Sequence, residues 1–433
     1  MLSQRSRSTV IVHRRLLICC ASLIAVVLVG VTSCSDEQPS EVSKRKPETG
    51  RTSDLPTAGS AEPRGVLKSA TLADGAGFGA GWISEPREEH LDLAEKHGLA
   101  LTAIFGWSGE RTKGIDAWLD FFARAQKRDI PIRISPIPAP SGAYLAARGA
   151  ERDLAELQDF VDLYTSKGLK PSTLVLDVEG RDPGGTIPSI TLLGLSDSPQ
   201  ARATLLAEAL PVAEHQAAID HYQRFVDKAR AAGWRVGVST VAVVADDSCD
   251  ADTDIERVLG IPITGVDWDF VTFQAYRTST YPTLKGLGLA LPTSSYVYEI
   301  AKRAKEKWGD RAGVDLGLTW VNTLKGADED DYDKIEDWYD DVRAAHAAGI
   351  DPNLVVPFRV EGFYDSAVPG DPEAWFVDVT GAVAPPPDAI TDLMRSLNCN
   401  ADKRLDADLH AAQTPGTTGD SPASSTGDTA GPR

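Results

Sequence analysis

Two acidic residues, Asp177 and Glu179, stand two positions apart in the otherwise apolar run LVLDVEG. If this run is a β-strand, both side chains lie on one face, with Cα atoms about 6.6 Å apart. Two carboxyl groups that close do not both ionise freely, and the more enclosed one keeps its proton to higher pH. A carboxylic acid that is protonated near neutral pH can protonate a glycosidic oxygen. The spacing therefore indicates Glu179, at the strand tip, as a general acid, with Asp177 holding or tuning it.

The same alternation predicts further polar side chains on the inward face of three other candidate strands, 130–136, 270–276 and 354–360. The side chains are those of Arg133, Gln274, Tyr276, Arg359 and Glu361. Buried charges are costly unless they are paired, so Arg133 is expected to neutralise Asp177 from the neighbouring strand. We interpret Arg133, Gln274, Arg359 and Glu361 as substrate-binding residues, with Tyr276 as an aromatic side chain near the end of its strand. The alternative is that an Asp-x-Glu pair at a strand end serves only as a helix cap or a surface ion pair.

Two tryptophans, Trp107 and Trp320, follow candidate strands and fit a sugar-binding site. The apolar faces of sugar rings stack on aromatic side chains. We therefore count both among the substrate-binding candidates. The alternative is that they cap the core of the domain.

Short apolar runs alternate with amphipathic stretches through most of the chain, which is typical of an α/β fold. Eight runs are candidate strands: 65–72, 99–105, 130–136, 172–179, 235–243, 270–276, 314–319 and 354–360. Glycines 98, 168, 233 and 349 stand where helices are expected to end. Eight strands with intervening helices predict a (β/α)8 TIM barrel in a single domain, with an open doubly wound sheet as the alternative. We interpret the glycine-rich segment 75–81 as a loop.

Composition divides the chain into four parts: a signal peptide (1–33), a flexible tether (34–64), the barrel domain (65–400) and a disordered tail (401–433). The tether and tail are rich in Ser, Thr, Pro and Gly and nearly free of large aliphatic residues. The net charge of −19 argues against binding to nucleic acid or to an anionic membrane surface. The seven histidines are scattered, so we expect no zinc, and no nucleotide-binding motif indicates another cofactor. We expect a monomer.

The N-terminus has the order of an export signal. Arg5, Arg7, Arg14 and Arg15 precede an apolar run, and the segment ends in Val-Thr-Ser followed by Cys34. At about 16 residues the run is short for a spanning helix, which needs roughly 20. The segment before Cys34 resembles the lipobox of bacterial lipoproteins, which implies acylation of that cysteine and attachment to the outer face of the cell membrane. An ordinary signal peptide with a chance cysteine and an uncleaved anchor helix are the alternatives.

The chain has five cysteines. Cys19 and Cys20 would leave with the signal and Cys34 would carry lipid, so Cys249 and Cys399 remain. In an oxidising exterior these two can pair, and closing so long a loop would stabilise the fold by about 3–5 kcal/mol. Two free buried thiols are the alternative.

Two segments, LVLDVEG and DFVTFQAY, resemble strands four and six of the chitinase-like glycoside hydrolases of family 18. The resemblance implies Glu179 as the acid, Asp177 as its partner and Tyr276 as the residue that orients an intermediate formed by the sugar's own N-acetyl group. Two further aspartates of the family strand are replaced by Ser172 and Val175. The family's tryptophan at the end of strand eight is missing too, since Val360 and Glu361 stand there.

LDVEG is also similar to the Asp-x-Glu strand of family 25 muramidases, for which Asp74 is the only candidate early aspartate. Three hypotheses follow: a lipid-anchored barrel that hydrolyses a polysaccharide, an inactive barrel that binds a glycan, and a structural envelope lipoprotein.

Overall fold

The structure is a computed structural model that describes residues 75–109, 112–138, 145–180, 206–246, 253–280, 284–285, 288–317, 332, 334–365 and 371–413. The predicted signal peptide and tether, together with Cys34, Cys249 and Trp320, lie outside the described residues.

Within the described residues, eight parallel strands form one sheet in sequence order. They are β1 (Ala80–Ile83), β2 (Ala100–Trp107), β3 (Ile132–Pro138), β4 (Thr173–Val178), β5 (Arg235–Val241), β6 (Val271–Gln274), β7 (Ala312–Gly317) and β8 (Val355–Phe358). The sheet curls until its edges meet: Val360 N donates to Trp82 O at 2.8 Å, and Gly79 N donates to Pro352 O at 2.7 Å. The predicted (β/α)8 barrel is therefore confirmed.

The helices of the described residues lie between the strands or after β8. They are α1 (Glu88–His97), α2 (Ile115–Lys127), α3 (Ala150–Ser166), α4 (Val212–Ala231), α5 (Asp254–Leu259), α6 (Ser294–Trp308), α7 (Ile335–Ala347), α8 (Gly362–Asp365) and α9 (Ala389–Gln413). Gly98 ends α1 in the left-handed conformation with φ 68°, as its position predicts. None of these helices combines the length and apolarity that crossing a membrane requires.

The strands separate two apolar regions. Leu174, Leu176 and Val178 of β4 belong to the large core between the sheet and the helices. Val175 faces the other way, into the lumen of the barrel, where it joins a second apolar cluster that includes Trp82 and Phe270. This alternation confirms the predicted faces of β4, and the same holds for Val271 and Phe273 of β6, which face the helices.

Three expectations about the fold are corrected. The first predicted strand, 65–72, lies outside the described residues, and the first strand of the sheet is β1, which begins inside the glycine-rich segment that we expected to be a loop. On β8, Val356 and Phe358 pack in the lumen cluster, whereas the expected inward direction of Arg359 and Glu361 would have placed them against the helices. Both faces of β8 are apolar, so the alternation of polar and apolar residues does not show which face points into the lumen. Finally, α9 continues to Gln413, beyond the predicted start of the tail at 401.

Candidate active site

The candidate site lies at the carboxyl end of β4, where a residue from outside the sheet, Leu145, holds the end of the strand in place. β3 and β4 pair only at their beginnings, as far as Ile134 and Leu174. Above that point Leu145 bridges β4: its N–H donates to Asp177 O at 3.0 Å, and its carbonyl accepts from Gly180 N at 3.2 Å. Leu145 therefore fixes the backbone on both sides of Glu179.

Gly180, directly after Glu179, adopts φ +76°, which L side chains rarely do. A Cβ at this position would come within 2.3 Å of Leu259 O, at the end of α5. Only glycine fits there, so the backbone can pass close to the end of α5 immediately after the acidic residue.

The two predicted acids are brought together, and Gln274 of β6 joins them. Gln274 Nε2 donates to Glu179 Oε1 at 2.5 Å and to Asp177 Oδ1 at 3.2 Å. Asp177 and Glu179 lie beside each other, and each acts on the pKa of the other. Two ionised carboxylates cannot hydrogen-bond, since neither has a proton to donate. Carboxyl groups this close are therefore favoured to hold one proton between them.

Burial favours a proton on this pair. Asp177 is 5% exposed, and burial raises its pKa well above the usual range, with the charges of Glu179 and Asp315 adding to the effect. Burial also raises the pKa of the partly buried Glu179 to about 7, although hydrogen bonds from Gln274 and Asp177 oppose the shift. A group with that pKa gives up and takes back a proton near neutral pH, as general acid–base chemistry requires.

Asp315 of β7 is a third lumen carboxyl, which sequence reasoning missed. It accepts hydrogen bonds from Ser239 Oγ at 2.6 Å, Thr272 Oγ1 at 2.9 Å and Trp82 Nε1 at 3.2 Å. A signal was present: Asp315 alternates with Gly313 and Gly317, so it is the only inward residue of β7 that has a side chain.

The mouth of the barrel is the opening at the carboxyl ends of the strands. Its other described residues are less polar than the acidic pair. Tyr276, which follows β6, is half-buried and lies beside Phe358 of β8, with ring centroids 5.4 Å apart. On β2, Ile104 packs against the lumen cluster, and the exposed Gly106 stands on the same face. A Cβ at Gly106 would meet no atom of the described residues within 4 Å. Carboxyl and amide groups line one side of the mouth, and apolar groups and bare backbone line the other.

Arg133 does not belong to this site. It pairs in register with Thr173, four residues before Asp177, and so lies roughly 13 Å lower along the strands. Its guanidinium stands 5.3 Å from the centre of the Phe270 ring and donates to Asn353 O at 2.6 Å. Alternation predicted its inward direction correctly. The expected pairing with Asp177 and the substrate-binding role are wrong because residues on the same face can lie at opposite ends of the barrel.

Trp107 is not available to a ligand either. It is 1% exposed, its indole N–H donates to Glu156 O of α3 at 2.8 Å, and its ring packs edge-on against Phe160. Its side chain belongs to the core between sheet and helices, which corrects its assignment as substrate-binding. The same role for Trp320 stays a prediction, since that residue lies outside the described part of the chain.

Glu361 is fully buried beyond the end of β8. Its Oε1 accepts from Ser84 N at 2.5 Å, Ser84 Oγ at 3.0 Å and Glu85 N at 3.2 Å. This carboxyl ties the loop after β1 to the end of β8, and its expected contact with substrate is wrong. Arg359, which is half-buried, donates to Ser84 Oγ at 3.0 Å. Its substrate-binding role stays a prediction.

Cys399, on α9, is disulfide-bonded. The other four cysteines of the chain, Cys249 among them, lie outside the described residues. The pairing of Cys249 with Cys399 stays a prediction. Across the part of the chain that the structure describes, no three His, Cys, Asp or Glu side chains are grouped so that they could hold a metal ion.

No protein-family model and no curated protein matches the chain. Solved structures that it resembles include a chitinase from Chromobacterium violaceum (12% identity, 55% of this chain and 67% of that chain, TM-score 0.35). A GH18 chitinase from Pseudoalteromonas aurantia matches at 10% identity over 65% of this chain and 93% of that chain (TM-score 0.40). An endo-beta-N-acetylglucosaminidase from Cordyceps militaris matches at 13% identity over 76% and 91% (TM-score 0.35). At these values the likeness assigns neither a family nor an activity to the chain.

Proposed function

We propose that the chain is an exported, membrane-anchored glycoside hydrolase-like protein that hydrolyses a glycosidic bond in a polysaccharide, with Glu179 as the general acid. The observation that carries the proposal is the meeting of Asp177 and Glu179 at the carboxyl end of β4, where Gln274 Nε2 donates to both carboxyl groups. Active sites of (β/α)8 enzymes lie at this end of the barrel. Protonation of the leaving oxygen is the step that such a carboxyl group performs in glycoside hydrolysis.

Each side chain of the site has a role in this reaction. Glu179, at the mouth, donates its proton to the glycosidic oxygen. The glycosidic bond to the anomeric carbon breaks as this proton is transferred, and the water that attacks that carbon returns a proton to Glu179. Asp177 lies beside Glu179 and favours its protonated form, and Gln274 fixes the orientation of both carboxyl groups. Tyr276 lies at the end of β6, where the resemblance to family 18 implies a residue that orients the intermediate.

The replacement of Glu179 by Gln tests the proposal, because the amide keeps the shape but cannot deliver a proton. We expect hydrolysis of a responsive polysaccharide, measured as released reducing ends, to fall by about 10²- to 10⁴-fold. Binding of the same glycan should persist. Glu214→Gln, at an exposed position in the first turn of α4, is the matched control and should leave the rate unchanged. Equal rates for wild type and Glu179→Gln would contradict the role of Glu179.

A second candidate function is glycan binding without hydrolysis, and one observation favours it. Val175 occupies a position where the resembled family 18 strand has an aspartate, and it is 3% exposed in the apolar lumen cluster. A barrel that lacks this carboxyl group can still bind a glycan in its cleft but lose the ability to hydrolyse it. A wild-type chain that binds a glycan on an array but hydrolyses none would establish this function. Failure to bind any glycan would leave a structural role in the envelope.

The membrane anchor rests on the sequence around Cys34. The basic residues, the apolar run and the segment Val-Thr-Ser-Cys support acylation of this cysteine and its location on the outer face of the cell membrane. Cys34→Ala should release the protein from the membrane fraction or leave its signal peptide uncleaved. Cys20→Ala, within the signal peptide, is the control and should change neither property. A Cys34→Ala protein that is correctly processed and still membrane-bound would rule out the anchor.

A further inference from the structure

Asp315 is the one inner-face carboxyl of the described strands that is tied to several strands at once. Its two oxygens accept hydrogen bonds from Trp82 of β1, Ser239 of β5 and Thr272 of β6, and Asp315 itself lies on β7. Such a set of neutral donors stabilises the ionised form and holds the carboxyl group in one position. Burial acts in the opposite direction and raises the pKa of Asp315.

The register of the strands brings Asp315 to the level of the acidic pair. Asp177 of β4 is paired with Ser239 of β5, and Ser239 is the residue whose hydroxyl donates to Asp315. Asp315 is in turn paired with Gln274 of β6, whose amide donates to Asp177 and Glu179. Ser239 thus stands beside Asp177 and hydrogen-bonds to Asp315, and Gln274 stands beside Asp315 and hydrogen-bonds to Asp177 and Glu179.

We propose that Asp315 is a positioning residue of the site: a buried carboxylate, fixed by three neutral donors, that keeps the shared proton on the Asp177–Glu179 pair. A negative charge across a low-dielectric lumen disfavours a second and third negative charge beside it. The pair responds by retaining its proton at pH values at which an isolated carboxyl group would have lost it. The inference deepens the proposed function, because a proton retained near pH 7 is what a general acid needs.

Other charged and titratable groups near the pair do not account for this effect. Tyr276 also lies at the mouth, but a phenol is neutral near pH 7. Arg133 lies deeper in the lumen, and its positive charge acts on Asp315 but is not among the charges that act on Asp177. Glu361 and Arg359 are bound to the loop after β1. Among the described residues, Asp315 is therefore the charge from another strand that acts on Asp177 and Glu179.

The replacement Asp315→Asn tests the proposal in the full chain. Carboxyl ¹³C resonances of glutamate-labelled protein are followed against pH, and the Glu179 signal is assigned by its absence in Glu179→Gln. The apparent midpoint for Glu179 should fall by about one pH unit when the Asp315 charge is removed. The midpoint belongs to the coupled pair, so the Asp177 signal of aspartate-labelled protein should move in the same direction.

Two further variants keep the result interpretable. Ser239→Ala removes one donor to Asp315, makes its ionised form less stable, and should lower the Glu179 midpoint by a smaller amount. Asp153→Asn removes an equally buried carboxyl on α3, outside the lumen, and should leave the midpoint unchanged. Folded Asp315→Asn and Ser239→Ala proteins whose Glu179 midpoint stays within about 0.3 units of wild type would overturn the proposal.

The titration needs no substrate, so it separates this inference from the proposed function. If no glycan is hydrolysed but Asp315→Asn lowers the midpoint, the activity is wrong and the role of Asp315 stands. If a glycan is hydrolysed, the alkaline limb of the pH–rate profile should move to lower pH in Asp315→Asn, because the acid loses its proton earlier. A lower rate at every pH with an unmoved limb would indicate a purely structural role and contradict the inference.

Discussion

The Asp177–Glu179 pair in the lumen and the Asp341 carboxyl outside the barrel are both buried, but they are compensated differently. Asp341, on α7, is fully buried and accepts from Arg277 Nε at 3.0 Å and from the Tyr332 hydroxyl at 2.8 Å. A cation therefore neutralises Asp341. The lumen pair receives neutral hydrogen bonds from Gln274 and has a further carboxyl group nearby, so a proton supplies the compensation.

This difference separates an acid that serves the stability of the fold from an acid that can exchange a proton near neutral pH. Burial raises the pKa of Asp341 to about 6, with Arg277 opposing the shift, so Asp341 is mostly ionised at pH 7. Burial raises the pKa of Glu179 to about 7, and the described residues place no cation beside it. A carboxyl group paired with arginine has no proton to exchange, whereas Glu179 exchanges one in the physiological range. The choice of neutral partners over a cation is thus what makes the lumen pair suited to catalysis.

The largest effect that would test this comparison is on stability. Arg277→Met leaves Asp341 buried without its cation, and we expect the free energy of unfolding to fall by about 3–5 kcal/mol. Urea denaturation followed by circular dichroism measures this change. The double variant Arg277→Met with Asp341→Leu should regain much of the loss, since neither charge is then buried alone. A loss below about 1 kcal/mol for the single variant would show that the ion pair does not neutralise Asp341 as described.

The second test uses the pH dependence of stability. Because the folded pKa of Glu179 lies above its ordinary 4.5, the native chain binds more protons than the unfolded chain between about pH 4.5 and 7, and stability falls as the pH rises through that range. Asp341 acts with the same sign between 3.8 and about 6. Between pH 6 and 7 the contribution of Glu179 remains, and we expect it to be about 1 kcal/mol.

The measurement is the difference between wild type and Glu179→Gln in denaturation at several pH values. The difference is needed because burial lowers the pKa values of His90, His215 and His346, which makes their contribution opposite in sign. Parallel curves for the two proteins between pH 6 and 7 would mean that Glu179 does not hold a proton there.

The smallest expected effect concerns Gln274. Gln274→Met removes the amide that donates to both lumen acids, yet we expect the free energy of unfolding to change by about 1 kcal/mol or less, because water at the open mouth replaces it. The pKa of Glu179 should rise, since the lost hydrogen bond had lowered it. Carboxyl ¹³C titration measures the shift. A destabilisation as large as that of Arg277→Met would show that Gln274 compensates the lumen pair as strongly as Arg277 compensates Asp341, and would contradict the comparison.

Much of the fold follows from local sequence patterns. The alternation of β4 and β6 gave the faces of Leu174 and Phe273 correctly, because on these strands polar and apolar residues separate cleanly. Gly98 marked the end of α1 because a left-handed cap favours glycine. The first strand could not be recognised, since the four residues of β1 include a glycine and continue a glycine-rich run.

The site was only partly predictable, because alternation gives the direction of a side chain and not its height in the barrel. Asp177, Glu179 and Gln274 met as expected because all three stand near strand ends. Arg133 shares their inward direction but lies at the other end of the lumen, and its height depends on the register between strands. That register is a property of the closed barrel and is not visible in a single strand. The role of Asp315 was hidden for the same reason.

The bare backbone of Gly106 has a consequence for how this domain could acquire new ligands. Almost every other inward position of the strands is committed to packing or hydrogen bonding, so a larger side chain there would displace a neighbour. A Cβ at residue 106, by contrast, would meet no atom of the described residues within 4 Å. A substitution at this single position can therefore change the size or polarity of the barrel entrance while Asp177, Glu179 and Gln274 stay in place.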